Sequence, residues 1–314
     1  MADYTVEHGA GDLKPEQFRK LDRKEKAGDK IVRPSLSSWQ DAWRRLRANR
    51  LAMVGLVILI LLSFMAIFGQ MMTPHDYATN NLDQTNLPPS SEHWFGTDDL
   101  GRDMFARTWM GASISLRVGL FAALIDLLIG VLYGGIMGYF GGRVDEVMSR
   151  FSEVLYSIPH MLIVILMVVV FEPSMTTIIL ALTITGWINM SWIVRGQIMQ
   201  LKNQEYALAS RSLGASMPRI LFRHLIPNAS GPIIVTLTLT VPSAIFSEAF
   251  LSFLGLGVSS PAASWGTMIS DAISAWDVYP WRMIFPAGLI SLTMFAFNVF
   301  GDGLRDAFDP KMKK

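Results

Sequence analysis

Leu51-Ala-Met-Val-Gly-Leu-Val-Ile-Leu-Ile-Leu-Leu-Ser-Phe-Met-Ala-Ile-Phe-Gly-Gln70 is a run of twenty residues without one charged side chain. As an α-helix it is about 30 Å long, which matches the hydrocarbon thickness of a bilayer. The run reads as a membrane-spanning helix, and the pattern recurs near residues 118–140, 155–171, 176–194, 231–251 and 283–301. The third stretch is short, because Glu172-Pro173 ends it. Apolar residues make up 51% of the 314-residue chain and mean hydropathy is +0.35, so the expected fold is an all-α integral membrane protein with six transmembrane helices. The net charge of +1 averages a basic flank and an apolar middle, and carries no sign of a nucleic-acid partner.

Working outward, residues 1–38 form a charged polar tail expected in the cytoplasm. Residues 39–72 hold an amphipathic stretch and the first span. Trp39, Trp43 and Leu46 fall on one helical face, flanked by Arg44, Arg45, Arg47 and Arg50, which suits a helix lying in the membrane interface. Lysine and arginine set the orientation. With the N-terminus inside, cytoplasmic segments carry 23 of the 27 basic residues, and outer segments only Arg102, Arg107, Arg117 and Arg282. Both termini are therefore expected in the cytoplasm. Residues 73–117 become an extracytoplasmic loop, 118–304 a five-helix core with an inner loop at 195–230, and 305–314 a cytoplasmic tail. Residues 256–281 read as a further outer loop, with three tryptophans suited to an interface. After span five, residues 251–257 either prolong the helix or fold back as a re-entrant piece.

Chemistry is sparse. The chain has no cysteine, so thiolate metal sites and cysteine nucleophiles are excluded. No lysine is followed by Ser or Thr, so the phosphate-binding Gly-x-x-x-x-Gly-Lys-Ser/Thr loop is absent. No His-Glu pair forms a zinc-protease helix. The five histidines are scattered without metal-ligand spacing, and His160 and His224 read as structural. No catalytic, cofactor-binding or metal site is expected, and the chain reads as a non-enzyme.

The inner loop is the most informative stretch: Glu205-Tyr-Ala-Leu-Ala-Ser-Arg-Ser-Leu-Gly214-Ala-Ser-Met-Pro218-Arg-Ile-Leu-Phe-Arg-His-Leu-Ile-Pro227-Asn228. Glu205 to Leu213 should form a short helix with Tyr206, Ala209 and Leu213 on one face and small residues such as Ser210 elsewhere. Gly214 should stop it, Pro218 should open a second helix, and Pro227 should end that one. The loop resembles the EAA motif of binding-protein-dependent ABC import permeases, Glu-Ala-Ala-x-x-x-Gly followed by a Pro. Ala209, Gly214 and Pro227 match, Leu208 stands where the motif has Glu, and Ser210 where it has its second Ala. Other segments are similar to dipeptide and oligopeptide permeases of the C type: residues 93–103 (His-Trp-Phe-Gly-Thr-Asp-Asp-Leu-Gly-Arg-Asp), 141–145, 250–257, Ser264-Trp-Gly266, 301–306 and Asp309-Pro310.

That resemblance implies the type I ABC importer permease fold and a place in the bacterial inner membrane. The chain would form half a pore with a paralogous permease subunit. Two ATP-binding cassette ATPases, holding the ATP and magnesium, would dock on the loop through Glu205, Tyr206, Ala209, Ser210, Leu213, Gly214 and Pro227. An extracytoplasmic binding protein would deliver the peptide. Related permeases carry nickel and other small solutes, so peptide and small solute both stay open. For the pathway itself the polar residues within the spans matter. Asp126 shares a four-residue stripe with Gly130, Gly134 and Gly138, a helix-packing pattern, and is either a packed carboxyl or a peptide contact. Asn189 lies with Thr183, Thr185 and Ser191 on a polar edge that lines the path or bonds between helices. Glu248 meets either a peptide amino terminus or an arginine such as Arg102. A rival reading is a stand-alone secondary transporter or channel that uses Asp126 and Glu248.

Overall fold

The computed structural model describes residues 38–308. The tail at 1–37 and residues 309–314, with Asp309-Pro310, lie outside the described residues. Helices dominate, and among the described residues the one β-type pairing is an isolated bridge between Thr97 and Asp103. Helix α1 spans Ser38–Ala48 and α2 Arg50–Phe68, with Asn49 between them capping α2 by accepting from the Ala52 amide at 3.2 Å. Ala42 and Leu46 turn inward, onto Ala52 of α2 and Leu304 and Ala307 near the C-terminal end of the fold. Trp43 is exposed beneath Arg47, so the expected shared face of Trp43 and Leu46 is divided. On α2, Leu51, Val54, Val57, Ile60, Leu61, Phe64 and Ile67 are exposed, a continuous apolar surface of the kind lipid covers.

Helix α3, Met104–Phe140, starts fourteen residues before the span expected at 118. Asp103 caps it, accepting from the Ala106 amide at 2.8 Å, and Met104, Phe105, Ala106, Trp109 and Ala112 are buried. Part of the expected 73–117 loop is therefore helix. Arg107 hid this, because it lowers local hydropathy, yet Asp98 neutralises it at 3.2 Å. Helix α4, Gly142–Ser157, and α5, His160–Phe171, meet at a 72° bend. The bend falls at Ile158, in an extended conformation because Pro159 follows it, so the third span does not run as one straight helix from 155.

Helix α6, Met175–Leu201, packs along α3. The stripe expected on α3 is the contact. A Cβ placed on Gly130 would lie 2.6 Å from Met190, one on Gly134 2.1 Å from the Ser191 carbonyl, and one on Gly138 2.8 Å from the Arg195 carbonyl. Numbers rise together on both helices, so the pair is parallel. Helices α7, Glu205–Ser212, and α8, Met217–Ile220, follow; a π-turn at Leu221–Leu225 then leads into α9, Ile226–Asn228, and α10, Ser230–Leu251. Pro227 does not end a helix as expected. The π-turn, with the Ile226 amide bonding to the Leu221 carbonyl, shifts the ladder just where the proline lacks a donor, and the chain stays helical.

A second π-turn, Ser252–Leu256, prolongs α10 only as far as Gly255, whose left-handed φ of +80 breaks the helix, so residues 251–257 begin as an extension and end in a turn. Helix α11, Trp265–Ala272, is held by a reciprocal Ser264–Thr267 cap and occupies part of the expected 256–281 loop. Helix α12, Trp281–Phe308, packs antiparallel on α2, where a Cβ on Gly303 would come within 2.2 Å of Ala52. Five of these helices are long and apolar enough to cross a membrane, six if the bent α4–α5 pair is one span.

Candidate functional site

One end of the fold carries α7–α9 and the other the 73–103 loop with α11. At the first end, α7 is closed by a Schellman pattern: the Ala215 amide donates to the Ser210 carbonyl at 3.1 Å and the Gly214 amide to Arg211 at 3.0 Å. Gly214 has φ +78, the left-handed region glycine supplies without steric cost. Ala207 is buried in one apolar cluster with Val194 and Ile198 of α6, Ile220 of α8 and Leu221 and Leu225 of the π-turn. Tyr206, Leu208 and Leu213 are exposed, Leu213 at 88%, and Glu205 and Ala209 are also exposed. Ser210 spends its hydroxyl on the Tyr206 carbonyl at 2.8 Å. The short helix is thus pinned on one side and presents an apolar face on the other.

Within the spans, a cavity of about 680 Å³ opens between α3, the α4–α5 bend, α6 and α10. Asp126, His160, Thr185, Asn189, Ser243 and Ser247 supply much of its polar lining. Its volume falls within the range of about 300–1,000 Å³ usual for small-ligand sites. His160 places Nδ1 2.6 Å from the Thr185 hydroxyl. The expected polar edge of α6 is split: Thr185 and Asn189 face the cavity, Ser191 backs onto Gly134, and Thr183 bonds to the Leu180 carbonyl.

Glu248 is elsewhere. It is fully buried, accepting from Ser115 of α3 at 2.9 Å and Ser252 at 2.8 Å, with Ser264 3.2 Å beyond Ser252. It neither lines the cavity nor meets Arg102, which binds Asp98 at 2.7 Å. The reading of Glu248 as an arginine partner is corrected, and the peptide contact finds no support in a carboxyl held away from the cavity. The carboxyl ties α3, α10 and the start of α11, a role invisible in sequence because Ser115 is 133 residues away. Glu248→Ala should cost about 2–4 kcal/mol, since it strands buried hydroxyls and leaves a void. Glu248→Gln, which keeps an acceptor, should cost less. Thermal unfolding in detergent checks both.

The acidic outer cluster folds its own loop. Asp98 accepts from Arg102 and Arg107, Asp103 from the His93 ring at 2.8 Å, and Asp99 from Arg282 at 3.0 Å. Asp271 lies close by, its carboxyl raised above the usual range by burial and held back by the Arg107 charge. Contrary to the scattered reading of the histidines, ligand atoms of His75, His93 and Asp103 converge within 4.8 Å. These groups are already engaged: His93 bonds to Asp103 and to Gln84, and His75 to the Glu92 carbonyl.

Comparison with known proteins places the chain in a family. Residues 130–314 match the model of the binding-protein-dependent transport system inner membrane component family, and residues 37–89 that of the N-terminal TM domain of oligopeptide transport permease C. The oligopeptide transport system permease protein OppC of Bacillus subtilis is 61% identical over 290 residues, covering 92% of this chain and 95% of that protein. The dipeptide transport system permease protein DppC of the same organism is 57% identical, covering 93% and 91%. OppC of Escherichia coli K12 is 43% identical, covering 91% and 96%.

Proposed function

The chain belongs to the family of binding-protein-dependent transport system inner membrane components, and on that premise we propose that it carries oligopeptides or dipeptides across the bacterial inner membrane. It is a multi-pass membrane permease subunit and not an enzyme, and family membership displaces the stand-alone carrier reading. An importer of this family implies a partner permease, ATPase subunits and a binding protein.

In the fuller reading, a paralogous permease completes the pore, and two ATPases hold the ATP and magnesium that drive it. One ATPase groove receives α7 through Tyr206, Ala209 and Leu213, with Glu205 and Ser210 at its edge. Gly214 and Pro227 set the helix's angle and its continuity with α10. The 205–228 end and both termini face the cytoplasm, in keeping with the bias of basic residues. The cavity beside Asn189 is half the solute path, opened alternately to each side by rigid-body rocking. The observation that carries this is the two-sidedness of α7: Ala207 is locked into the apolar cluster that holds α6, so a push on the exposed face moves the spans.

Uptake of a labelled peptide length series, measured in a bacterium lacking only this subunit, tests it. Uptake should vanish and return with the wild-type chain. Persistence without the subunit overturns the reading, and restoration of nickel uptake alone reassigns the substrate.

A further inference from the structure

Asp126 is 5% exposed and lies on α3, about 21 Å from that helix's C-terminal end by helical rise, well inside the membrane-spanning part. Its carboxyl rests on Gly186 of α6, where an added Cβ would come within 2.3 Å of Oδ2. Oδ1 is buried and finds no hydrogen-bond donor among the described residues. Glu248, the other carboxylate of the spans considered above, is fully buried yet has serine donors on both oxygens. Asp126 therefore differs in kind. A buried carboxyl oxygen without a donor costs about 1–3 kcal/mol or more.

The remainder of the cavity says which donor fits. Among the described residues, Asp126 is the one carboxylate that lines it, and no lysine or arginine does. His160 is occupied with Thr185. Asn189 and Ser247 are neutral donors and acceptors, and the hydroxyl oxygens of Thr240 and Ser243, which donate to the Thr236 and Leu239 carbonyls, remain acceptors. Such groups suit a peptide backbone of any sequence, because they address amides rather than side chains. A single carboxylate among hydroxyls is a poor site for a divalent cation, which needs several oxygen ligands with more charge. It suits an ammonium group, whose N–H donors form short, charge-assisted bonds to a carboxylate. The positive charge shared by every unblocked peptide is its amino terminus.

We propose that Asp126 receives the α-ammonium group of the peptide in transit, so that the half-path reads a free amino terminus while leaving side chains unread. This deepens the transport reading and rests on it. The test uses the complete importer, with both permeases, ATPases and binding protein, in proteoliposomes, comparing one peptide with its N-acetylated form. Asp126→Asn should lower uptake of the free-amine peptide about tenfold or more and leave the N-acetyl peptide within about twofold. Gly186→Ala, whose Cβ would displace the carboxylate, gives the same selective loss and serves if the first variant does not assemble. Adding Asn189→Asp to Asp126→Asn, which returns a carboxylate to the same cavity, should recover part of the free-amine uptake. Equal losses for both peptides, or no loss for either, overturn the proposal, as does a free-amine loss that Asn189→Asp leaves untouched. If the wild-type importer moves neither peptide, it is the transport reading that fails.

Discussion

Replacing Gly134 by leucine should prevent the helical core from assembling. A Cβ at that position would sit 2.1 Å from the Ser191 carbonyl oxygen and 2.9 Å from its Cα, and both are backbone atoms of α6 that cannot rotate aside. Relief requires α3 and α6 to separate, which also opens the contacts at Gly130 and Gly138. Overpacking a closed interior costs about 1–3 kcal/mol and more where backbone must move. Loss of close helix approach removes the dispersion contacts that hold spans together in lipid. Against a total stability of about 5–15 kcal/mol, a cost above about 3 kcal/mol should collapse the yield of monodisperse protein in detergent. Gly196 is the matched control. It lies on the same α6, and a Cβ there meets nothing within 4 Å, so Gly196→Leu should leave yield and unfolding temperature nearly unchanged.

Gly214→Val should abolish peptide uptake while the subunit still inserts and unfolds at close to the wild-type temperature. A Cβ at Gly214 also meets nothing within 4 Å, so no clash propagates into the core. The cost is local: φ +78 strains a β-branched residue by about 1–2 kcal/mol, enough to undo the Schellman closure and let α7 swing about its anchor at Ala207. The readouts are uptake, peptide-stimulated ATP hydrolysis by the assembled importer, and co-purification of the ATPases. Gly214→Asn, which tolerates the left-handed region, should keep most activity. Full activity in the valine variant would sink the docking role of this loop.

Much of the architecture could be read directly from the residues, because membrane spans announce themselves by hydropathy and the α3 stripe by its four-residue spacing. Charged residues and prolines mislead where a partner or a turn compensates them. Arg107 looked like a loop residue, yet Asp98 pairs with it, and Asp103 caps the helix that contains it. Pro227 looked like a terminator, yet a π-turn absorbs it. The structure brings Asp126 and Asn189 to one cavity, whereas Glu248 belongs to a serine-bonded knot that ties it to Ser115, 133 positions away. The convergence of His75, His93 and Asp103 was equally out of reach, since ten to twenty-eight residues of irregular loop separate them.

The parallel packing of α3 and α6 also fixes a matter of parity. Two neighbouring spans that point the same way must be joined by a chain that travels back across the bilayer. Residues 142–171 are the whole of that return, so the bent α4–α5 pair is a crossing in its own right, despite the short straight length of α5. The count becomes six, an even number, and an even count brings the chain home to the side from which it set out. The contact of Leu46 in α1 with Leu304 and Ala307 in α12 is the two ends of that circuit meeting.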